Sequence, residues 1–251
     1  MAITISILNH KGGVGKTTTA ENLAAALQIK GKRVLVIDLD GQANLTESLG
    51  LSIEEEKTIY GAMKGEYPLP LVETNTGLTL VPSCLDLSAA ESELINEPGR
   101  EMILKQLIHK NTETSKFDYI IIDCPPSLGL LTLNALTASD KLIIPVQAEF
   151  LAMRGMAKIT NVIGIVQERL NPNLDIAGIV ITQYDQRKTL NRSVSDLIKD
   201  SFCDKIFQTV IRDNVALAEA PINGQSIFEY NNKANGAKDY MSLAEEVLAI
   251  K

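Results

Sequence analysis

Short apolar runs rich in β-branched residues recur along the chain at 3–8, 33–39, 78–82, 119–123, 141–146, 176–182 and, more weakly, 206–211. Runs such as Val34-Leu35-Val36-Ile37 and Ile120-Ile121-Ile122 have no polar alternate position, so both faces of each strand need cover. Stretches of helical period separate them at 16–30, 100–110, 130–138, 153–170, 190–202 and 237–250. Alternation of this kind predicts an α/β fold: a doubly wound, mostly parallel sheet with helices on both faces and ligands at the carboxyl ends of the strands. No repeat, low-complexity tract or linker divides the chain, so 1–251 reads as a single domain.

Composition narrows the setting. With 45% hydrophobic residues the chain can bury a core, which excludes disorder. No apolar run approaches the roughly 18 residues of a membrane span, and the opening segment lacks the basic start of a signal peptide. A cytoplasmic protein is expected. Cys84, Cys124 and Cys203 are odd in number and far apart, which suits reduced, mostly buried thiols better than disulfides or a zinc site. The balance of 24 basic against 31 acidic residues, net −7, does not by itself point to nucleic acid.

After the first run comes Asn9-His10-Lys11-Gly12-Gly13-Val14-Gly15-Lys16-Thr17-Thr18-Thr19, then a helical stretch from Ala20. Strand, glycine-rich turn and helix is the setting of a phosphate-binding loop, and so of a P-loop NTPase. Gly12, Gly13 and Gly15 permit close backbone approach and positive φ, which turns successive amides toward an anion. The helix N-terminus adds partial positive charge. Lys16 is placed to reach the β- and γ-phosphates and Thr17 to ligate Mg²⁺. The nucleotide contacts are therefore assigned to Lys11, Gly12, Gly13, Val14, Gly15, Lys16, Thr17 and Thr18. The alternative, a tight turn without ligand, leaves Gly-Lys-Thr at a helix start without a purpose. In the general pattern G-x-x-x-x-G-K-[ST] the first glycine is here His10, and Lys11 brings a second cation to the loop's entry.

Two further segments place carboxylates at strand ends. Asp38 and Asp40 close the second run, and alternation puts them on one side, toward one cleft. A carboxylate there can position a water for attack on a γ-phosphate or hold the water shell of a metal; capping of the next helix is the structural alternative. In Tyr119-Ile120-Ile121-Ile122-Asp123 a buried strand ends in an acid, the Walker B arrangement in which Asp123 polarises the Mg²⁺ shell. Thr17, Asp40 and Asp123 are the metal candidates. Cys124 beside Asp123 reads as core packing.

Lys11-Gly-Gly-Val-Gly-Lys-Thr resembles the deviant Walker A loop of the ParA/MinD ATPases, and Asp123-Cys-Pro-Pro-Ser resembles the ParA/Soj branch. The likeness extends through Gln147-Ala-Glu149, Thr182-Gln-Tyr-Asp185, Glu219-Ala-Pro221 and Asn235-Gly-Ala237, and covers the chain from Ile3 to Leu248. The segment 145–155 is read either as part of a dimer seam or as an ordinary strand–helix junction. The resemblance implies Mg²⁺-dependent ATP hydrolysis, with Lys11 reaching nucleotide bound by a partner in an ATP-sandwich homodimer. It assigns Asp40 to water positioning with Asp38 in support, which makes Lys11, Lys16 and Asp40 the catalytic set. It also places adenine near Thr182 and Asn214. Where the family has Pro-Gln-Gly this chain has Gly41-Gln42-Ala43, and where it has Ile-Pro-Arg-Asn this chain has Ile211-Arg212-Asp213-Asn214.

The same likeness implies non-specific binding of double-stranded DNA, nucleoid association and stimulation by a ParB-like adaptor protein, in the segregation of plasmid or chromosomal DNA; the alternative is a MinD-like or cargo-positioning ATPase acting on a membrane or a protein assembly. Arg187, Lys188, Arg192 and Lys199 head the candidate DNA surface, with Lys205 and Arg212 beside them. Residues 185–213 hold six basic and five acidic side chains, so charge alone describes a mixed solvated face. A MinD-like membrane switch needs a basic amphipathic terminal helix, whereas 242–251 has two acids, one lysine and no aromatic residue; stable membrane insertion is not expected. An electron carrier of the nitrogenase-reductase kind needs paired cysteines at a dimer seam, which Cys84 and Cys124 do not supply.

Overall fold

The computed structural model describes residues 2–149, 152–202 and 205–250, with backbone alone at 152–154. Its strands are β1 (Ile3–Ile7), β2 (Val34–Asp38), β3 (Val72–Glu73), β4 (Thr79–Val81), β5 (Tyr119–Asp123), β6 (Lys141–Gln147), β7 (Asp175–Tyr184) and β8 (Ile206–Arg212). They form one sheet in the order β3-β4-β2-β5-β1-β6-β7-β8. Every pairing is parallel except that of the short edge strand β3 with β4. Helices α1 (Lys16–Ile29), α2 (Asn44–Ser48), α3 (Ile59–Met63), α4 (Leu87–Glu93), α5 (Ile103–Lys110) and α6 (Leu130–Ala138) lie in the first part of the chain. Later come α7 (Ala152–Arg169), α8 (Thr189–Phe202), α9 (Ala216–Glu219), α10 (Ile227–Asn231) and α11 (Asn235–Ala249).

The unbroken apolar strands produce two cores. Leu35, Ile37, Ile120, Ile122, Leu142 and Ile144 face one side and pack with residues of α3 to α8. Val34, Val36, Ile121, Ile143 and Val180 face the other, against Leu23 and Leu27 of α1 and Tyr240, Leu243 and Val247 of α11. This is the doubly wound α/β fold anticipated from the sequence. Among the described residues no helix is long and apolar enough to cross a membrane.

The differences lie in small elements. Helices α2, α3 and α4 have five to seven residues, too few to show a helical period. Arg100–Met102 is a 3₁₀ turn ahead of α5 rather than its first turn. β6 and β7 each outrun their apolar core, ending in Gln147 and in Gln183-Tyr184. Register matters most at the centre: Ile7 pairs with Asp123 and Asp123 with Asp38, so the loop after β1 opens beside two carboxylates. Cys84 is half-buried and Cys124 buried; Cys203, Asp204 and Phe150-Leu151 lie outside the described residues.

Candidate nucleotide-binding site

The loop after β1 is anchored before it turns. Leu8 N donates to Ile143 O at 3.1 Å, and the Asn9 side chain donates to Pro145 O at 2.7 Å and accepts from Lys11 N at 3.0 Å. Gly13 and Gly15 then take φ of 74° and 85°, values that favour glycine. Gly15 caps α1 without a side-chain hydrogen bond, and the first turn of α1 carries no acid. The free amides and helix dipole at that end can therefore receive an anion. Lys16 is largely buried, and its ammonium lies 3.5 Å from Lys11 O. Val14 is buried, so it offers the loop backbone rather than its side chain.

Lys11 goes elsewhere. It does not line the cleft formed by Gly12, Gly13, Gly15, Lys16, Thr17 and Thr18. Its ammonium meets Glu149 Oε2 at 2.5 Å and Gln147 Oε1 at 3.3 Å, on its own chain.

The carboxylates divide their work. Thr17 Oγ1 donates to Asp123 Oδ2 at 2.7 Å, while Asp123 Oδ1 is buried without a partner. Burial and then the Asp38 charge push the Asp123 carboxyl well above the usual range. An orphaned, electron-rich oxygen beside a threonine hydroxyl fits a hard cation. Among the described residues no cluster of three or more His, Cys, Asp or Glu side chains suits a metal by itself. Mg²⁺ keeps waters and takes phosphate oxygens; Thr17, Asp123 and Asp40 are the residues that would hold it. Asp38 is fully buried, and burial raises its pKa to about 6. Its oxygens accept from Thr46 N (2.9 Å), Thr46 Oγ1 (2.7 Å) and Asp40 N (3.1 Å). Strand alternation predicts Asp38 and Asp40 together in one cleft; only Asp40 lines it. Asp38 builds the loop behind, because its oxygens are taken up by backbone and hydroxyl donors. Ser83 completes that loop by donating to Asp40 O at 2.7 Å. Gly41 fits it, since a Cβ there would lie 3.0 Å from Ser88 N; Ala43 takes the left-handed φ of 53° that a glycine accepts more readily.

One carboxyl escaped the sequence reading. Glu21, one helical turn beyond Thr17, lines the same cleft; its Oε1 is buried and unpaired, and burial raises its pKa to about 8. An acid at an apolar-face position of α1 was the available signal.

The cleft holds about 590 Å³ and adjoins a pocket of about 180 Å³ lined by Thr182, Ile211, Asn214, Leu217 and Tyr240. Gly15, Thr18 and Gln183 border both, a layout that suits phosphates in one and a base in the other. Thr182 Oγ1 donates to Val14 O at 2.8 Å, tying the second pocket to the loop. Asn214 Oδ1 accepts from Ala216 N at 2.9 Å, which leaves its amide nitrogen for a ligand. A larger cavity of about 690 Å³ lies away from the site, near Thr4, Lys105 and Asn171, and contains none of the motif residues.

The basic residues after β7 are exposed except the half-buried Arg212, and several are already paired. The Arg187 side chain is 86% exposed and meets Asp185 at 2.9 Å, which holds the Asp185 carboxyl down at about 2. Lys188, Arg192 and Lys199 are exposed on the adjoining loop and α8. Lys205 instead binds Asp175 at 2.8 Å, and Arg212 is clamped to Asp239 at 2.6 Å. Lys205 and Arg212 thereby tie the start of β8 to β7 and its end to α11, whereas Arg187 pairs within its own turn; Arg187, Lys188, Arg192 and Lys199 remain the candidate surface.

A glycine loop feeding an open helix end, with an acid closing the neighbouring buried strand, defines a P-loop ATPase that uses ATP and Mg²⁺. A family described as an AAA domain, AAA_31, matches residues 2–176. The sporulation initiation inhibitor protein Soj of Bacillus subtilis is 43% identical, covering 98% of each chain. The chromosome-partitioning ATPase Soj of Treponema pallidum is 41% identical over 99% of this chain and 98% of its own. Among solved structures, a Mycobacterium smegmatis protein named cobyrinic acid a,c-diamide synthase, with bound ADP and magnesium, matches with a TM-score of 0.85. It is 37% identical and covers 99% of this chain and 94% of its own. The chain belongs to the ParA/MinD family, in its ParA/Soj branch.

Proposed function

We propose that this chain, acting as a single ATPase domain over residues 1–251, partitions DNA: ATP closes a homodimer, the dimer binds duplex DNA without sequence preference, and a ParB-like adaptor stimulates slow hydrolysis and release. The observation that carries the reading is the placement of Lys11. A cation at the mouth of the phosphate loop that turns away from its own cleft and is held at the rim by Glu149 is not spent on its own phosphates, and its release would serve a neighbouring subunit's nucleotide. The name of the Treponema pallidum relative points to chromosome partition as the process served.

Within each subunit, amides of 12–18 and Lys16 receive the phosphates, and Thr182 and Asn214 border the base. Asp40, held by Asp38, Thr46 and Ser83, orients a water toward the γ-phosphate. Mg²⁺ held by Thr17, Asp40 and Asp123 would neutralise developing phosphate charge. Lys16 and the incoming Lys11 stabilise the charge on the leaving oxygens. Arg187, Lys188, Arg192 and Lys199 contribute phosphate contacts from each subunit, so pairing doubles a weak surface. The membrane alternative is not favoured, because α11 buries Tyr240, Leu243, Ala244 and Val247 against the core.

Sedimentation with Mg²⁺ and ATP or ADP, with and without duplex DNA, tests this. The expected result is a dimer with ATP alone and DNA binding by that dimer alone, falling steeply with salt. A chain that stays monomeric in ATP contradicts it.

A further inference from the structure

Two glutamines at the ends of β6 and β7 close a ring on the phosphate loop, and the mechanism above leaves them without a role. Lys11 Nζ donates to Gln147 Oε1 at 3.3 Å, Gln147 Nε2 donates to Gln183 Oε1 at 2.6 Å, and Gln183 Nε2 donates to Gly13 O at 2.7 Å. The ends of this chain of bonds fix its direction. An ammonium only donates and a carbonyl only accepts, so each amide has one orientation that satisfies both neighbours. Gln183 also takes a φ of 51°, a left-handed conformation rare for a residue with a side chain. Gln183 is exposed, so burial does not impose that backbone; the two hydrogen bonds of its amide are what it secures.

We propose that Gln183 is a positioning residue that acts through Gln147 to keep the Lys11 ammonium drawn back on its own chain, and so sets how readily Lys11 is released to a partner's nucleotide. The role rests on the ATP-dependent pairing proposed above. Glu149 supplies the charge that attracts Lys11, at 2.5 Å. Gln147 supplies the second contact, but only while its own amide nitrogen is anchored by Gln183. Without that anchor the Gln147 side chain rotates freely, and Lys11 is left with one partner. The same ring ties the Gly13 carbonyl down, so loosening Lys11 and loosening the loop tip are one event.

The test uses Gln183→Gly and Gln183→Asn in the full chain. Glycine and asparagine both accept left-handed φ, and asparagine is too short to span from Gln147 to Gly13, so neither variant strains the backbone. Acylation of Lys11 by an amine-reactive ester is followed by mass spectrometry in nucleotide-free protein, with Lys64 and Lys110 as internal standards. The pairing midpoint is measured by sedimentation at ATP saturating for each variant, which removes any change in nucleotide affinity. Lys11 acylation is expected to rise about threefold to tenfold, the range of one net hydrogen bond, with the standards unchanged. The protein concentration for half-pairing is expected to fall by a similar factor. Unchanged Lys11 acylation overturns the role, as does faster acylation with no shift in pairing. A wild type that pairs while the variants pair no better overturns this role alone; a wild type that stays monomeric in saturating ATP overturns the pairing reading and this role with it.

Discussion

The carboxyl ends of β1, β2 and β5 and the surface around α8 both gather charged side chains, but by opposite means. At the strand ends Asp38 and Asp123 are fully buried and adjacent in register, and all but one of their oxygens find donors within the fold. Around α8 the charges are exposed and of both signs, with Arg187 already paired to Asp185. Burial makes each charge of the first region costly unless it has a partner, so geometry there has little freedom. Exposure makes each charge of the second region cheap and screened, so its net effect depends on small balances. Substitutions should separate the two regions by size of effect.

The most far-reaching effect belongs to Lys16→Ala, which acts on nucleotide binding and on everything that follows from it. Removing a largely buried ammonium from an anion site removes charge-assisted hydrogen bonds worth about 3 kcal/mol, so ATP affinity should fall about a hundredfold. ATP-dependent association should vanish with it; calorimetric titration and sedimentation read the two. Asp40→Ala comes next. Hydrolysis should fall by about 10² to 10⁴ while ATP-driven pairing persists, because Asp38, Thr46 and Ser83 hold the loop and the Asp40 carboxylate adds a single bond to it, from Gln42 N at 3.0 Å. Loss of pairing together with hydrolysis would move the water-positioning role away from Asp40.

Glu21 tests the cost of burial directly. Its pKa rises from 4.5 to about 8 on folding, mainly by burial, so folding takes up a proton between those values. The stability of the protonated form is full below about pH 4.5 and is lost as pH rises through 8. Glu21→Gln has no proton to lose. Without nucleotide it should match the wild type in melting temperature near pH 5 and melt several degrees higher at pH 9, since about 1 kcal/mol corresponds to about 2–4 °C at this size. Equal melting curves at both pH values would mean that water reaches the carboxyl.

What the sequence revealed follows the same division. The strands were legible because two-sided burial leaves unbroken apolar runs, and Lys16, Thr17 and Asp123 were legible because a loop that must meet phosphate tolerates few residue types. The groups that hold the loop from Asp38 to Asp40 were not. Thr46 and Ser83 come from a five-residue helix and a loop with no period of their own, and only the folded chain brings them to the end of β2. Gln147 and Gln183 were hidden likewise, since strand order alone sets β6 beside β7. At the α8 surface the count of charges was readable but their pairing was not. Lys205 and Arg212 looked available until Asp175 and Asp239 were found against them.

On that surface effects should be smaller and salt-dependent. Reversing Arg187, Lys188 and Arg192 to Glu should weaken duplex binding by the ATP-bound protein about tenfold or more at low salt. It should also flatten the salt dependence by nearly one unit of log–log slope for each DNA phosphate no longer neutralised. Unchanged binding in a gel-shift titration would place the DNA surface elsewhere on the molecule.

The smallest effect is the one that could erase the contrast between the regions. Asp185 holds Arg187 by its side chain and also accepts from Arg187 N at 3.0 Å. Asp185→Asn keeps an oxygen for the backbone bond but gives up the charge, so the turn into α8 survives while Arg187 is released. If exposed pairing is what keeps this surface weak, duplex affinity should rise about twofold to threefold at low salt and the salt slope should steepen. The gain should fade at high salt, where the pair is screened in the wild type as well. An affinity that matches the wild type at every salt concentration would mean that Arg187 already exchanges freely between Asp185 and phosphate. The surface would then be limited by how few cations α8 carries, not by how they are paired.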